Sequence, residues 1–333
     1  MQDIARATGV SQSTVSRVLS GRASGVPIAG ETRERILEEA RRQKYRPNPL
    51  ASGLRGAQTR LLGVIVGEIT GPFMAAALDA LSGEALARGY NMVVGNARGQ
   101  ADEAVALGNV LETRHCDSIV LLGATRDRPW LLEDLRGTGI PLVAMGQGIA
   151  LPGICTVNVD NRGAITSAMR HLAELGHRRI GFISGHPVGD IPVRQATFLE
   201  LMKELGQASP GQLVRVVEDD PAGGAAGLKS LMSLRPRPTA VVCATDTLAL
   251  GALHAANGLG IRVPDELSLT GFDDLFFAAF TVPPLTTLRF PIREMAARVI
   301  REAINPELEA SGTKEYVIEA SFVVRNSTGH APS

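Results

Sequence analysis

Apolar residues recur along this chain in two rhythms, and the change from one to the other divides it. Over residues 3–19 (DIARATGVSQSTVSRVL) the spacing is helical. Ile4 and Ala5 form the apolar side of a short first helix, and Val15, Val18 and Leu19 recur at i, i+3, i+4 along a second. Gly9 stands in the turn between them, where a positive φ is needed. Val10 plugs that turn into the core, and Ser11 occupies the N-cap position of the second helix. The face left outward carries Gln12, Ser13, Thr14, Ser16 and Arg17. These short hydrogen-bonding side chains and one cation suit base edges and phosphates in a major groove. After a Gly/Ala/Ser-rich loop over residues 21–30, ETRERILEEARRQKY places Thr32, Ile36 and Ala40 on one helical face with Leu37 beside them. That third helix closes a small core, so residues 1–46 are predicted to form a small all-α helix-turn-helix DNA-binding domain.

Pro47-Asn48-Pro49 ends the third helix and opens another element, with Asn48 as N-cap and Pro49 at the first helical position. Leu50, Ala51 and Leu54 share one helical face there, but the segment is too short to be stable alone in water. From Leu61 the rhythm changes to continuous apolar runs: LLGVIVG, NMVVGN, SIVLLG, PLVAMG, RIGFISG, LVRVV, TAVVCA and LSLTGF. Helical stretches alternate with them, among them residues 74–88, 102–114, 162–175, 193–205 and 247–259. Apolar strands separated by helices imply parallel sheets covered on both faces. A break near residues 158–160 then divides the eight strands into two doubly wound α/β lobes.

Charge sharpens this division. The 333-residue chain has a formal net charge of zero, but through Arg60 eleven Lys/Arg face five Asp/Glu, and the balance of the 34 of each sign leaves the rest acidic. A basic head on an acidic body confines phosphate binding to one end. Cys116, Cys155 and Cys243 are odd in number and embedded in apolar runs, so they read as buried reduced thiols and not as a disulfide framework or metal site. The six histidines show no metal-ligand spacing. No signal peptide, lipidation motif or apolar run approaching ~18 residues is present, which makes the cytoplasm the expected compartment and no membrane the expected partner.

The motifs D-x-A-x-x-x-G-V-S-x-x-T-V-S-R-V-L, T-R-E-R-I and Y-x-P-N-x-L-A-x-x-L, in that order, resemble the LacI/GalR family of bacterial repressors, and the resemblance runs to about Arg325. It implies a periplasmic-binding-protein-like body of two Rossmann-like lobes with a cleft between them. The three crossovers should fall near Asp160, Arg289–Phe290 and Ala320. The domains implied are the reader at 1–46, a hinge at 47–60 and an effector-binding and dimerisation body at 61–330. Within the body, 61–159 and 291–319 make the N-lobe, and 160–290 and 320–330 the C-lobe. In the family the hinge becomes helical on operator DNA, pairs with its twin and pushes a leucine into the minor groove; Leu54 matches that leucine. Gly53 departs from good helix chemistry by ~1 kcal/mol relative to alanine, which should make hinge folding more dependent on DNA. Arg22 and Asn48 join the DNA-binding candidates. The chain also lacks the capped residues that usually precede the first helix, so either the native start lies upstream of Met1 or this helix is less well capped.

In such lobes a ligand binds outside the carboxyl ends of the strands. Phe73 is placed to stack on a ring or sugar face, and Arg194 matches the family arginine that clamps ligand oxygens. Asp273 in GFDD can accept from two hydroxyls, with Asp274 the weaker of the pair, and Thr245-Asp246 stands where the family usually has Asn-Asp. Three positions depart from sugar-responsive members: Gly146 replaces an acid, Thr245 an Asn and Phe290 a Gln. These changes remove polar groups and add an aromatic, so a ligand less hydroxyl-rich than a hexose, or bound with more stacking, is expected.

The implied function is a ligand-responsive transcriptional repressor acting as a homodimer on near-palindromic operator DNA, with a sugar, sugar acid or similar small effector and no cofactor. The helix at residues 74–86, with outward-looking Met74 and Leu78, is a candidate for the dimer contact, and no leucine heptads follow Arg325 to build a coiled-coil tetramer. A transport-type sugar receptor would use the same body, but the basic head and the missing signal peptide argue against it. An enzyme is the third alternative. Gly63, Gly67 and Gly71 are not spaced G-x-G-x-x-G, no P-loop is present, Ser184 lies outside a G-x-S-x-G elbow, and no nucleophile–base–acid set can be assembled.

Overall fold

The computed structural model describes residues 1–20, 27–45, 58–98, 100–113, 115–123, 129–146, 153–306 and 313–332. Arg22, Asn48, Gly53 and Leu54, and with them the hinge, lie outside the described residues. The chain separates into two compact units, Met1–Thr59 and Arg60–Ser333.

The first unit contains α1 (Gln2–Thr8), α2 (Gln12–Ser20) and α3 (Gly30–Arg42). Ile4, Ala5, Val15, Val18, Ile36 and Ala40 form its buried core, with Val10, Leu19 and Leu37 packed against it. Gly9 ends α1 at φ 66°, the left-handed conformation the turn requires. Met1 occupies the N-cap of α1 without a side-chain cap.

The second unit holds two six-stranded sheets. In chain order the elements are β1 (Leu61–Val66), α4 (Pro72–Ala87), β2 (Asn91–Asn96), α5 (Ala101–Thr113), β3 (Ser118–Leu122), α6 (Pro129–Gly137), β4 (Leu142–Met145) and β5 (Cys155–Val159). Next come α7 (Asn161–Glu174), β6 (Ile180–Ser184), α8 (Ile191–Glu204), a 3-10 turn (Pro210–Leu213), β7 (Val214–Val216), α9 (Pro221–Met232), β8 (Ala240–Cys243), α10 (Asp246–Gly258) and β9 (Ser268–Asp273). β10 (Thr286–Arg289), α11 (Ile292–Ile304), β11 (Lys314–Ile318) and β12 (Ser321–Val323) complete the unit.

The strand orders are β2-β1-β3-β4-β5-β11 and β7-β6-β8-β9-β10-β12. The first sheet is parallel throughout; the second is parallel except for β12, which runs antiparallel to β10. The chain therefore passes between the sheets after β5, after β10 and between β11 and β12. At the first passage Asp160 caps α7, its Oδ1 accepting from Gly163 N at 2.8 Å, while its own N–H donates to Ile318 O at 2.8 Å. The same residue thus terminates one sheet and starts the first helix of the other.

Four strands differ from the apolar-run reading. β5, β10, β11 and β12 are not among the eight runs; in β5 and β10, Thr156, Asn158, Thr286 and Thr287 break the apolar signal although all four are buried. Met74 and Leu78, expected to look outward from α4, are partly buried and packed against the body's core. Leu86 of α4 is exposed, and the most exposed large apolar side chains among the described residues lie in the segment after β9, where Phe276 is 79%, Phe280 83% and Val282 93% exposed. All three cysteines are buried free thiols.

Candidate functional site: a nucleic-acid interface and an interlobe cleft

On the first unit the capping residue organises the recognition helix. Ser11 Oγ accepts from Thr14 N–H at 3.2 Å and lies 2.8 Å from both Ser13 Oγ and Thr14 Oγ1. Thr14 is drawn into this network and half-buried, so it is less outward than its place on the helix implied. Gln12, Ser13, Ser16 and Arg17 line a shared concavity with Met1. Arg17 Nε leans back to Ser13 O at 3.4 Å, keeping the cation near the helix start. A helix N-terminus carries partial positive charge, so this face combines that charge with one guanidinium and several hydroxyl and amide groups able to hydrogen-bond.

In the body, Arg194 in the first turn of α8 is the hub of a buried polar cluster at the strand ends. It is 3% exposed. Its Nε donates to Asn161 Oδ1 at 2.9 Å, Nη1 donates to Ala244 O at 2.7 Å, and the guanidinium lies 3.5 Å from the centroid of the Phe272 ring. Asp190 Oδ2 stands 3.5 Å from Nη2 and Asp273 Oδ1 3.8 Å from Nη1. The Arg194 fork is therefore largely engaged by protein.

Burial pushes the carboxyls of Asp190, Asp219 and Asp273 above the usual carboxylate range, for Asp273 well above it, with Arg194 opposing the shift in each. Asp273 ends β9 at φ 116° and Asp274 follows at φ 55°. Such conformations cost of order 1–3 kcal/mol for a side chain of this kind and gather at sites where geometry is imposed. Asp274 is held by Arg289 Nε at 2.7 Å and Arg325 Nη2 at 2.6 Å, which makes it a brace of the lobe.

The other candidates divide by environment. Phe73 and Phe290 meet edge to face with ring centroids 4.8 Å apart, and Phe290 N–H donates to Asp273 O at 3.3 Å. The aromatic pair therefore adjoins the Asp273 end of the cleft. Thr245 caps α10, accepting from Leu248 N–H at 3.2 Å while its Oγ1 donates to Asp219 Oδ1 at 2.7 Å. Asp246 is fully buried, accepting from Thr287 Oγ1 at 2.5 Å and Leu275 N–H at 2.8 Å. Both of its oxygens are used inside the lobe.

Asn161, Asp190 and Asp219 were not singled out from sequence. Asp190 precedes Ile191-Pro192 and reads as an ordinary N-cap, yet it makes no side-chain cap bond. Asp219 adjoins Asp220, which is the true cap of α9, its Oδ1 accepting from Gly223 N–H at 2.6 Å. Gly146 brings the two lobes together: a Cβ built on it would lie 3.9 Å from Asp190 Oδ2, and one on Gly189 would lie 3.5 Å from Gly146 O.

Among the described residues no cluster of three or more His, Cys, Asp or Glu is arranged to hold a metal, and no helix is long and apolar enough to cross a membrane.

Comparison with known proteins agrees with both halves. Residues 1–48 match the model for bacterial regulatory proteins of the lacI family, and residues 169–328 match that for a periplasmic binding protein-like domain. The chain is 32% identical to the HTH-type transcriptional regulator GalR of Escherichia coli K12, over 91% of this chain and 88% of that protein. It is 28% identical to the HTH-type transcriptional repressor CytR of Escherichia coli K12, over 100% of this chain and 97% of that protein. Its fold matches the lac repressor dimer bound to operator and the anti-inducer ONPF, with a TM-score of 0.86, 21% identity and 98% of each chain covered. The CelR–cellobiose complex matches with a TM-score of 0.72 and 27% identity, covering 97% of this chain and 98% of that one. These relatives are regulators of transcription, not enzymes, and the chain belongs to the LacI family of bacterial regulatory proteins.

Proposed function

We propose that the protein is a cytoplasmic, ligand-responsive transcriptional repressor that binds near-palindromic operator DNA as a homodimer and has no catalytic activity or cofactor of its own. The observation that supports it most is the presence in one chain of the Ser11-capped reading face and of a buried Arg194–Asp273 pair at the strand ends of a two-sheet body. Gln12, Ser13, Thr14, Ser16 and Arg17 contact DNA in this reading, with Arg22, Asn48 and Leu54 completing the set. Asp273 accepts from the effector, Phe73 and Phe290 cover it, and Thr245, Asp246 and Arg194 fix the carboxylates in place. The solved CelR relative holds cellobiose, which supports a sugar or sugar-derived effector here. Because the chain crosses between the sheets three times, a ligand bridging the lobes reorients them as bodies, and coupling of ~1–3 kcal/mol is sufficient to switch operator affinity.

The test is binding of the purified chain to a genomic fragment library at physiological ionic strength. Enrichment of discrete near-palindromic fragments is the expected result; uniform binding to bulk DNA would refute the repressor reading. Arg17→Ala should weaken operator binding and lower the salt slope by about 1 if the guanidinium neutralises a phosphate.

A further inference from the structure

Asp190 is the unexplained group of the cleft. Its side chain is 10% exposed and is held by Asn161 and Arg194, with Oδ2 3.5 Å from the guanidinium, while Oδ1 is buried without a hydrogen-bond partner. Residue type and position would make it a helix cap, but it caps nothing. A desolvated carboxylate oxygen left unpaired is costly, so its retention needs a donor that arrives from elsewhere. The space beside it is open because Gly146 of the opposite lobe has no side chain, and the nearest atom to a Cβ there is Asp190 Oδ2 itself.

The charge around it has a definite sign. Asp190, Asp219 and Asp273 all feel Arg194, and two of that guanidinium's nitrogens already donate to Asn161 and Ala244. Asp274 is neutralised by Arg289 and Arg325, and His186 pairs with Glu218 at 2.9 Å among exposed side chains. Arg194 is thus the one guanidinium these three carboxyls share, His186 acts on Asp219 alone, and burial without enough positive charge holds all three above their ordinary range. The Phe73–Phe290 pair, joined to Asp273 through the Phe290 backbone bond, supplies ring faces of the kind that favour a cation.

We propose that Asp190 is a ligand-contacting residue which, with Asp219 and Asp273, makes the cleft select a ligand bearing a protonated amine over neutral and anionic counterparts. This deepens the effector-cleft reading above and rests on it. The amine donates to Asp190 Oδ1 and adds the positive charge that Arg194 alone does not supply. Carboxylate- or phosphate-bearing ligands are rejected by the same three groups.

The experiment follows thermal unfolding and calorimetric titration of the full chain with glucosamine, glucose and glucuronate and with galactosamine, galactose and galacturonate. At least one amine should raise the unfolding midpoint more than its neutral partner does, and neither uronate should raise it. Asp190→Asn should weaken amine binding at least about tenfold more than it weakens neutral binding, and raise the midpoint of the unliganded protein, because the desolvation of a buried carboxylate is relieved. A merely structural Asp190 would instead give a lower midpoint in that variant and an unchanged amine preference. Failure of both amines to bind, or binding of a neutral sugar as tightly as its amine, overturns the charge assignment. If that neutral binding is lost in Asp273→Asn, the effector-cleft reading stands without it; binding insensitive to both variants would place the ligand elsewhere and sink the cleft reading as well.

Discussion

Asp246 shows how a residue can look like a ligand contact and serve another purpose. It starts α10 with its side chain wholly buried, and its two oxygens tie that helix to Thr287 on β10 and to Leu275 after β9. Burial outweighs these two bonds and pushes its carboxyl up to about 7. The folded protein therefore holds a proton between pH ~4 and ~7 that the unfolded chain has released, and stability falls as pH rises through that window. Asp190, Asp219 and Asp273 are shifted upward by burial as well and add to the trend. His171 and His177 are shifted downward by burial and act oppositely, but only below their ordinary value near 6.5. The unfolding midpoint of the unliganded chain should therefore be higher at pH 6.5 than at pH 8. Calorimetry showing a flat or rising midpoint across that interval would contradict the assignment.

Among the elements, those built on periodicity and caps were the most legible. The Ser11 cap, the Gly9 turn and the stripe of Val15, Val18 and Leu19 follow directly from residue type and spacing, and each lies where that chemistry requires. Ser11→Ala should lower the stability of the first unit by ~1 kcal/mol, read by circular dichroism in urea, and weaken DNA binding through the loosened Thr14. Strands that draw on long-range partners were much less legible. β5 and β10 carry threonine and asparagine whose side chains are satisfied by groups far along the chain, such as Asn158 by Glu315 at 2.7 Å and Thr287 by Asp246. The buried charge cluster at the strand ends was legible in Asp273 and Arg194 and illegible in Asp190, because an N-cap position gives no sign of whether its cap bond is made. Packing between α9 and α10 was equally hidden: a Cβ on Gly251 would run into the Pro221 carbonyl, and one on Gly224 into that of Leu248. Backbone cannot yield there as a side-chain tip can. Gly251→Ala, favourable for an isolated helix, should instead destabilise the body by ~1–3 kcal/mol in denaturant unfolding. A neutral result would mean that the two helices can separate.

For the whole molecule, the proposed binding of operator as a pair requires apolar surface that a single body leaves uncovered. α4 is the sequence-based candidate: its Met74 and Leu78 are partly buried against the body's own core, while Leu86 near its end stands exposed. Phe276, Phe280 and Val282 remain outside, within seven residues of one another and only a few positions beyond the strained Asp273–Asp274 pair. Three such side chains at near-complete exposure are unfavourable for a monomer in water, and a second copy of the same segment would cover them by symmetry. The adjacency also gives the cleft a route to the contact: a ligand that reorders Asp273 acts on the segment continuous with it. Phe280→Asp would place a charge in each copy of that contact. Sedimentation should then show the dimer dissociating at concentrations where the parent chain stays paired, and operator affinity should become steeply dependent on protein concentration. The unfolding midpoint should change little under conditions where the parent is also monomeric, since Phe280 supports no part of the core. A variant that remains dimeric with unaltered operator binding would show that the copies meet through another face.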